Sequence, residues 1–126
     1  MSDTETQTFP MLYGKWRPLL VLLGMGPGLS GVELDGEDMH VRMGWAFRAR
    51  VPRASITGAR AVSGRVGGVG VHGWRGRWLV NGSMEHIVGI DIDPAVRAIA
   101  TGIPVHLHYL ALSIEDPDAF LAALER

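Results

Sequence analysis

Eight arginines and no acid lie between Met39 and Met84: Arg42, Arg48, Arg50, Arg53, Arg60, Arg65, Arg75 and Arg77. A guanidinium is a planar, permanently charged fork that matches phosphate and carboxylate oxygens. The flanks have the opposite sign: residues 1–38 carry -4 and residues 85–126 carry -5. Two outcomes follow from this pattern. Either the acidic flanks neutralise the run inside the fold, or the arginines present an anion-binding face. A second group, His72, Trp74, Arg75, Arg77 and Trp78, interleaves aromatic and basic side chains, which can stack on bases or bind phosphate. More simply, the indoles pack and the arginine stems cover them.

Other residue pairs are weaker signals. His106 and His108 are two apart on an expected strand and share a face, but a metal site wants three or four ligands. A third ligand, His40 or His86, cannot be placed from spacing. Asp91 and Asp93 also share a strand face, and Asp91 is expected opposite Arg75. Gly68-Val69-Gly70-Val71-His72-Gly73 matches a dinucleotide fingerprint, which works only when a helix follows. Trp74-Arg75-Gly76-Arg77-Trp78 is a poor helix start, so no cofactor is expected. There is no nucleophile elbow, paired-histidine zinc motif or phosphate-binding loop, and Cys is absent, so thiol chemistry is excluded.

These side chains must be held by short elements. Val32 and Leu34 alternate with Glu33, and Met39, Val41 and Met43 alternate with His40 and Arg42. A four-residue loop, Asp35 to Asp38, pairs Leu34 with Met39 and keeps one apolar face. A two-residue turn would set opposite faces together. The next strand places Trp45, Phe47, Ala49 and Val51 on the apolar face. Arg42 then stands opposite Arg48, and His40 opposite Arg50. Pro52 ends that strand, and Ile56 to Val62 forms another. Residues 63–76 read as a Gly-rich connection. Arg77 to Val80 and Ile87 to Ile92 read as a strand pair joined through Asn81-Gly82. Asp93-Pro94 could open a short helix, yet Val96, Ala98 and Ala100 equally fit a strand. Val105 to Ile114 is a strand, and Asp116-Pro117-Asp118 opens a C-terminal helix with Ala119, Phe120, Ala123 and Leu124 inward. The expected core is Val41, Phe47, Val51, Ile56, Trp78, Leu107, Tyr109 and Phe120. The fold class is mainly β with one C-terminal helix: a bent antiparallel sandwich or barrel plugged by that helix.

The 126 residues suit one domain, 1–126, with residues 1–8 frayed. A net charge of -1 and a hydrophobic share of 47% describe a folded globule with no specific nucleic-acid partner. The acidic start is unlike a signal peptide. The apolar stretch Pro18 to Met25 is far shorter than the ~20 residues a spanning helix needs. The expectation is a cytoplasmic chain that is not an integral membrane protein.

The stretch from Trp45 to Ile56, a strand followed by a Pro-led corner containing Ile56, resembles the bacterial pleckstrin-homology-like (PH-like) domains. The helix from Pro117 to Glu125 is similar to the one that closes such barrels. Gly70 to Gly82 also resembles a segment of uncharacterised bacterial members. The resemblance covers about residues 30–124 and implies a non-enzymatic binding module with no catalytic residues and no cofactor. Membrane-resident members carry hydrophobic helices ahead of the domain, and Leu19 to Leu23 does not match them.

The resulting expectation is a PH-like interaction module for an anionic ligand, an anionic surface or a protein surface, with Arg42, Arg48, Arg50, Arg75 and Arg77 as binding residues. One alternative is a small β-barrel that binds an apolar ligand, or acts as an enzyme, through a pocket of His72, Trp74, His106 and His108. Another is a homo-oligomerisation domain using a sheet edge.

Overall fold

Alternation of apolar and polar residues makes a strand wherever one face can be buried, and the N-terminal half of this chain follows that rule strictly. The computed structural model describes residues 6–62 and 69–125. Strands β1 (Gln7–Phe9), β2 (Ser30–Leu34), β3 (Asp38–Met43) and β4 (Phe47–Pro52) form consecutive antiparallel pairs. Leu34 pairs with Met39, Val32 with Val41, Arg42 with Arg48 and His40 with Arg50, which is the register expected from the four-residue loop. Val32, Leu34, Met39, Val41, Met43, Phe47 and Val51 are all buried. Gln7 and Thr8 are not frayed: they pair with Leu34 and Glu33 while Phe9 packs edge-on against Phe120.

The second half departs from the expected pairing. Strands β5 (Ile56–Ala61), β6 (Gly70–Trp74), β7 (Arg77–Asn81), β8 (Ile87–Ala100) and β9 (Ile103–Ser113) join the same sheet. Its order is β1-β2-β3-β4-β8-β9-β7-β6, with β5 pairing β8 off that path. The expected Gly-rich connection is therefore part strand. Residues 70–74 pair with β7, and residues 63–68 lie outside the described residues. β7 does not pair with β8; it lies between β6 and β9, running parallel to β9. The helix option after Asp93 is not taken, because residues 94–100 continue β8. There Ala98 and Ala100 face inward while Arg97 and Ile99 face outward. A register shift between Asp91 and Val96 bends the β8–β9 pair, so its two halves serve the two halves of the sheet.

The sheet does not close into a barrel: β1 and β6 are its unjoined ends. It folds over on itself around one core, and helix α2 (Pro117–Leu124) plugs it with Phe120 and Ala123. The Asp116 side chain accepts from the Ala119 N–H and caps that helix as expected. Of the expected core, Val41, Phe47, Val51, Leu107 and Phe120 are buried, whereas Ile56, Trp78 and Tyr109 are half-buried. Trp45 leaves the apolar face altogether: it sits in the β3–β4 turn and is 63% exposed.

An additional helix, α1 (Arg17–Leu22), follows a crossing segment, residues 10–14. Met11 bridges Ile114, and Tyr13 bridges Gly82. Ser113 Oγ donates to the Leu12 carbonyl and accepts the Gly82 N–H, both at 2.9 Å. This short segment thus links β1 to the far half of the sheet.

Candidate anion-binding face

Burying one side of β2, β3 and β4 fixes what the other side must carry. The outward residues form two rows across the strands: Thr8, Glu33, His40 and Arg50, then Gly31, Arg42, Arg48 and Ile99. These rows line a groove of about 390 Å³, whose walls include Thr6, Thr8, Glu33, Asp35, His40, Arg42, Arg48 and Arg50. The three arginines of this face, expected to stand together, do so, and all are exposed.

Glu33 stands opposite His40, and the other acids, Asp35, Glu37 and Asp38, gather at one end. The Asp35 carboxylate accepts the N–H groups of Glu37 at 2.8 Å and Asp38 at 2.7 Å, closing the hairpin loop, and its other oxygen meets His40 Nε2 at 3.1 Å. These contacts, led by the Glu37 and Asp38 N–H groups, hold its pKa at about 2. Asp38 lies 3.8 Å from Arg50 Nε. Acids thus answer His40 and Arg50. Arg42 and Arg48 face each other across β3 and β4 and make no ion pair among the described residues. Like charges directly opposite repel, so the pair attracts an anion that can sit between them.

Asp35, Asp38 and His40 also bring three ligand atoms within 4.8 Å of one another, as a cation would require. Backbone N–H groups and Arg50 already serve those oxygens, which is the ordinary chemistry of a hairpin loop.

Arg97 and His106 pair across β8 and β9, and Arg97 lies two residues from Ile99 on the same face. Both are exposed, so the basic face extends beyond β4. Sequence reasoning missed Arg97, although the strand alternative for residues 94–100 would have exposed it opposite Ala98 and Ala100.

The other expected site residues lie elsewhere. Arg75 and Arg77 do not join this face, because β8 and β9 separate β4 from β7. The Arg75 guanidinium lies 5.6 Å from the Trp74 ring centre, and that of Arg77 lies 4.2 Å from the Tyr109 ring centre. Asp91 does not meet Arg75. It pairs with Arg60 at 2.7 Å, because β5 rather than β7 neighbours β8 there. Arg53 is structural: it donates to Asp35 and Ala123 carbonyl oxygens. His72, Trp74, His106 and His108 are all exposed, and none lines the groove. The structure does not gather these four side chains: β7 lies between the strand of His72 and Trp74 and the strand of the other two. Gly70 to Gly73 lies in β6 and is followed by a turn and β7, not by the helix a dinucleotide loop requires. No helix among the described residues is long and apolar enough to cross a membrane. No family model, curated protein or solved structure matches the chain.

Proposed function

We propose that this chain is a non-enzymatic, PH-like binding module whose β3–β4 outer face takes an anionic ligand. The observation that carries the reading is the exposed Arg42–Arg48 pair, juxtaposed by register in a groove and making no ion pair among the described residues. Two opposed guanidiniums present convergent N–H donors to phosphate or carboxylate oxygens, and His40 and Arg50 extend the positive field along the groove. Among the described residues no hydroxyl hydrogen-bonded to a histidine or carboxylate lines the groove, which favours binding over catalysis.

Calorimetric titration with inositol hexakisphosphate, a soluble polyanion, tests the reading. Binding should be saturable, should weaken steeply with salt and should be lost in the Arg42→Gln/Arg48→Gln variant. Absence of binding by the parent at low salt, or equal binding by parent and variant, refutes it.

A further inference from the structure

We infer that the anion this module meets is the headgroup layer of a lipid bilayer, and that the end of the sheet beside Arg42 and Arg48 inserts its apolar side chains into that surface. The inference rests on the arginine reading above and adds a second, separately measurable contact.

Three segments build this end: residues 22–30, from the last residue of α1 to the start of β2, the β3–β4 turn at 43–47, and the β8–β9 turn at 100–103. None contains a charged residue. They are fastened to one another by their backbones. The Gly44 N–H donates to the Leu29 carbonyl at 3.0 Å, and the Thr101 N–H to the Ala46 carbonyl at 2.7 Å. The Trp45 indole N–H donates to the Leu23 carbonyl at 2.7 Å. Yet the side chains they carry face water: Leu22 is 82% exposed, Trp45 63%, Ile103 61% and Leu29 53%. Single exposed apolar residues are commonplace, but four on adjoining turns form a patch that needs a partner.

Charge around the patch selects the partner. Arg42 and Arg48 lie three residues to either side of Trp45. Asp35, Glu37 and Asp38 lie at the β2–β3 loop, the opposite end of β3 from Trp45. An uncharged tip bearing Leu, Ile and an indole, backed by cations, is the distribution that an interfacial segment needs: apolar groups enter the acyl boundary while the cations meet anionic headgroups. A protein partner would not require the cations to stand directly behind the apolar tip.

The test is flotation with phosphatidylcholine vesicles, with and without phosphatidylserine, combined with tryptophan quenching by lipids brominated in the acyl chain. The parent should float only with phosphatidylserine and be quenched, and most of the quenching should vanish in Trp45→Phe. Leu22→Ser/Ile103→Ser removes two exposed side chains. It should bind vesicles at least about tenfold more weakly, as expected for losing that apolar burial, while keeping the parent's affinity for inositol hexakisphosphate. Arg42→Gln/Arg48→Gln should lose both ligands. A parent that binds the polyanion but not the vesicles overturns the lipid inference alone. Flotation without acyl-chain quenching, or equal flotation of the Leu22/Ile103 variant, overturns insertion. A parent that is dimeric in sedimentation and becomes monomeric in that variant, without vesicle binding, identifies a second copy as the occupant and also overturns the inference. Loss of polyanion binding by the parent overturns both readings.

Discussion

Arg53 closes the C-terminal end of α2 by donating from Nη2 to the Ala123 carbonyl at 2.8 Å. The last carbonyls of a helix lack partners within it and carry partial negative charge, so a cation placed there satisfies both needs. The same guanidinium donates to the Asp35 carbonyl at 2.9 Å, which ties the plugging helix to the β2–β3 loop. Arg53→Met should therefore destabilise the fold by about 2 kcal/mol, within the range for charge-assisted hydrogen bonds. Arg53→Lys, which keeps the charge but loses the fork, should fall between variant and parent in urea unfolding.

Phe120 is fully buried, and its ring meets Phe9 edge-on with centroids 5.2 Å apart. It fills the space between α2 and the first strand. Phe120→Ala should cost about 3–5 kcal/mol, the range for deleting a buried aromatic ring. Chemical denaturation measures this directly, and a loss below about 1 kcal/mol on the same scale would show that the helix does not plug the sheet.

The Asp35 carboxylate gives the fold a defined response to acid. Its pKa drops from the ordinary 3.8 to about 2, chiefly because it accepts the Glu37 and Asp38 N–H groups. The native chain therefore binds fewer protons than the unfolded chain between these values. Its contribution to stability is complete above the unfolded value and is lost as pH falls through about 2. Asp35→Ala should be less stable near neutral pH and should show a shallower decline between pH 4 and 2, a window set by that same shift. Carboxyl NMR titration of the parent should place the Asp35 midpoint well below the ordinary 3.8.

The Arg42–Arg48 juxtaposition should cost stability while it confers binding. Arg42→Glu converts opposed like charges into an opposite-charge pair. It should gain from a few tenths to about 1 kcal/mol at low salt, and the gain should shrink as salt is added. The same variant should lose polyanion affinity. Urea unfolding at two salt concentrations, with calorimetry beside it, separates the two effects.

The β2–β3–β4 register was legible because a one-residue slip would have exposed every apolar side chain from Val32 to Val51. That argument placed Arg42 opposite Arg48 and His40 opposite Arg50 without long-range information. It stopped at Trp45, which the alternation assigned to the core but the turn carries outward. Partner choice for β7 was not legible. Trp78 to Val80 reads as a half-buried strand whichever neighbour it has, and its parallel pairing with β9 joins segments some thirty residues apart. Pro94 left helix and strand equally open because Asp-Pro opens helices as readily as it interrupts an exposed stretch of strand. Helix α1 offered only Pro18 in its first turn as a signal. Trp16 at its N-cap makes no side-chain capping bond, and most of its apolar residues face outward rather than marking a core stripe.

The crossing segment is held by a hydrogen bond between Leu12 and Ser113, which lie 101 residues apart. Contacts between such distant parts of a chain must await closure of a long loop, which slows folding relative to local hairpins. During synthesis the β2–β3–β4 meander can form early, but the segment before it must wait for β9 to emerge. Until β8 emerges, β4 lacks that neighbour and presents an unpaired edge that other nascent chains can join. The arrival of β8 thus sets the moment at which the chain stops being vulnerable to association through that edge, and the stitch at Ser113 fastens the segment before β2 only afterwards.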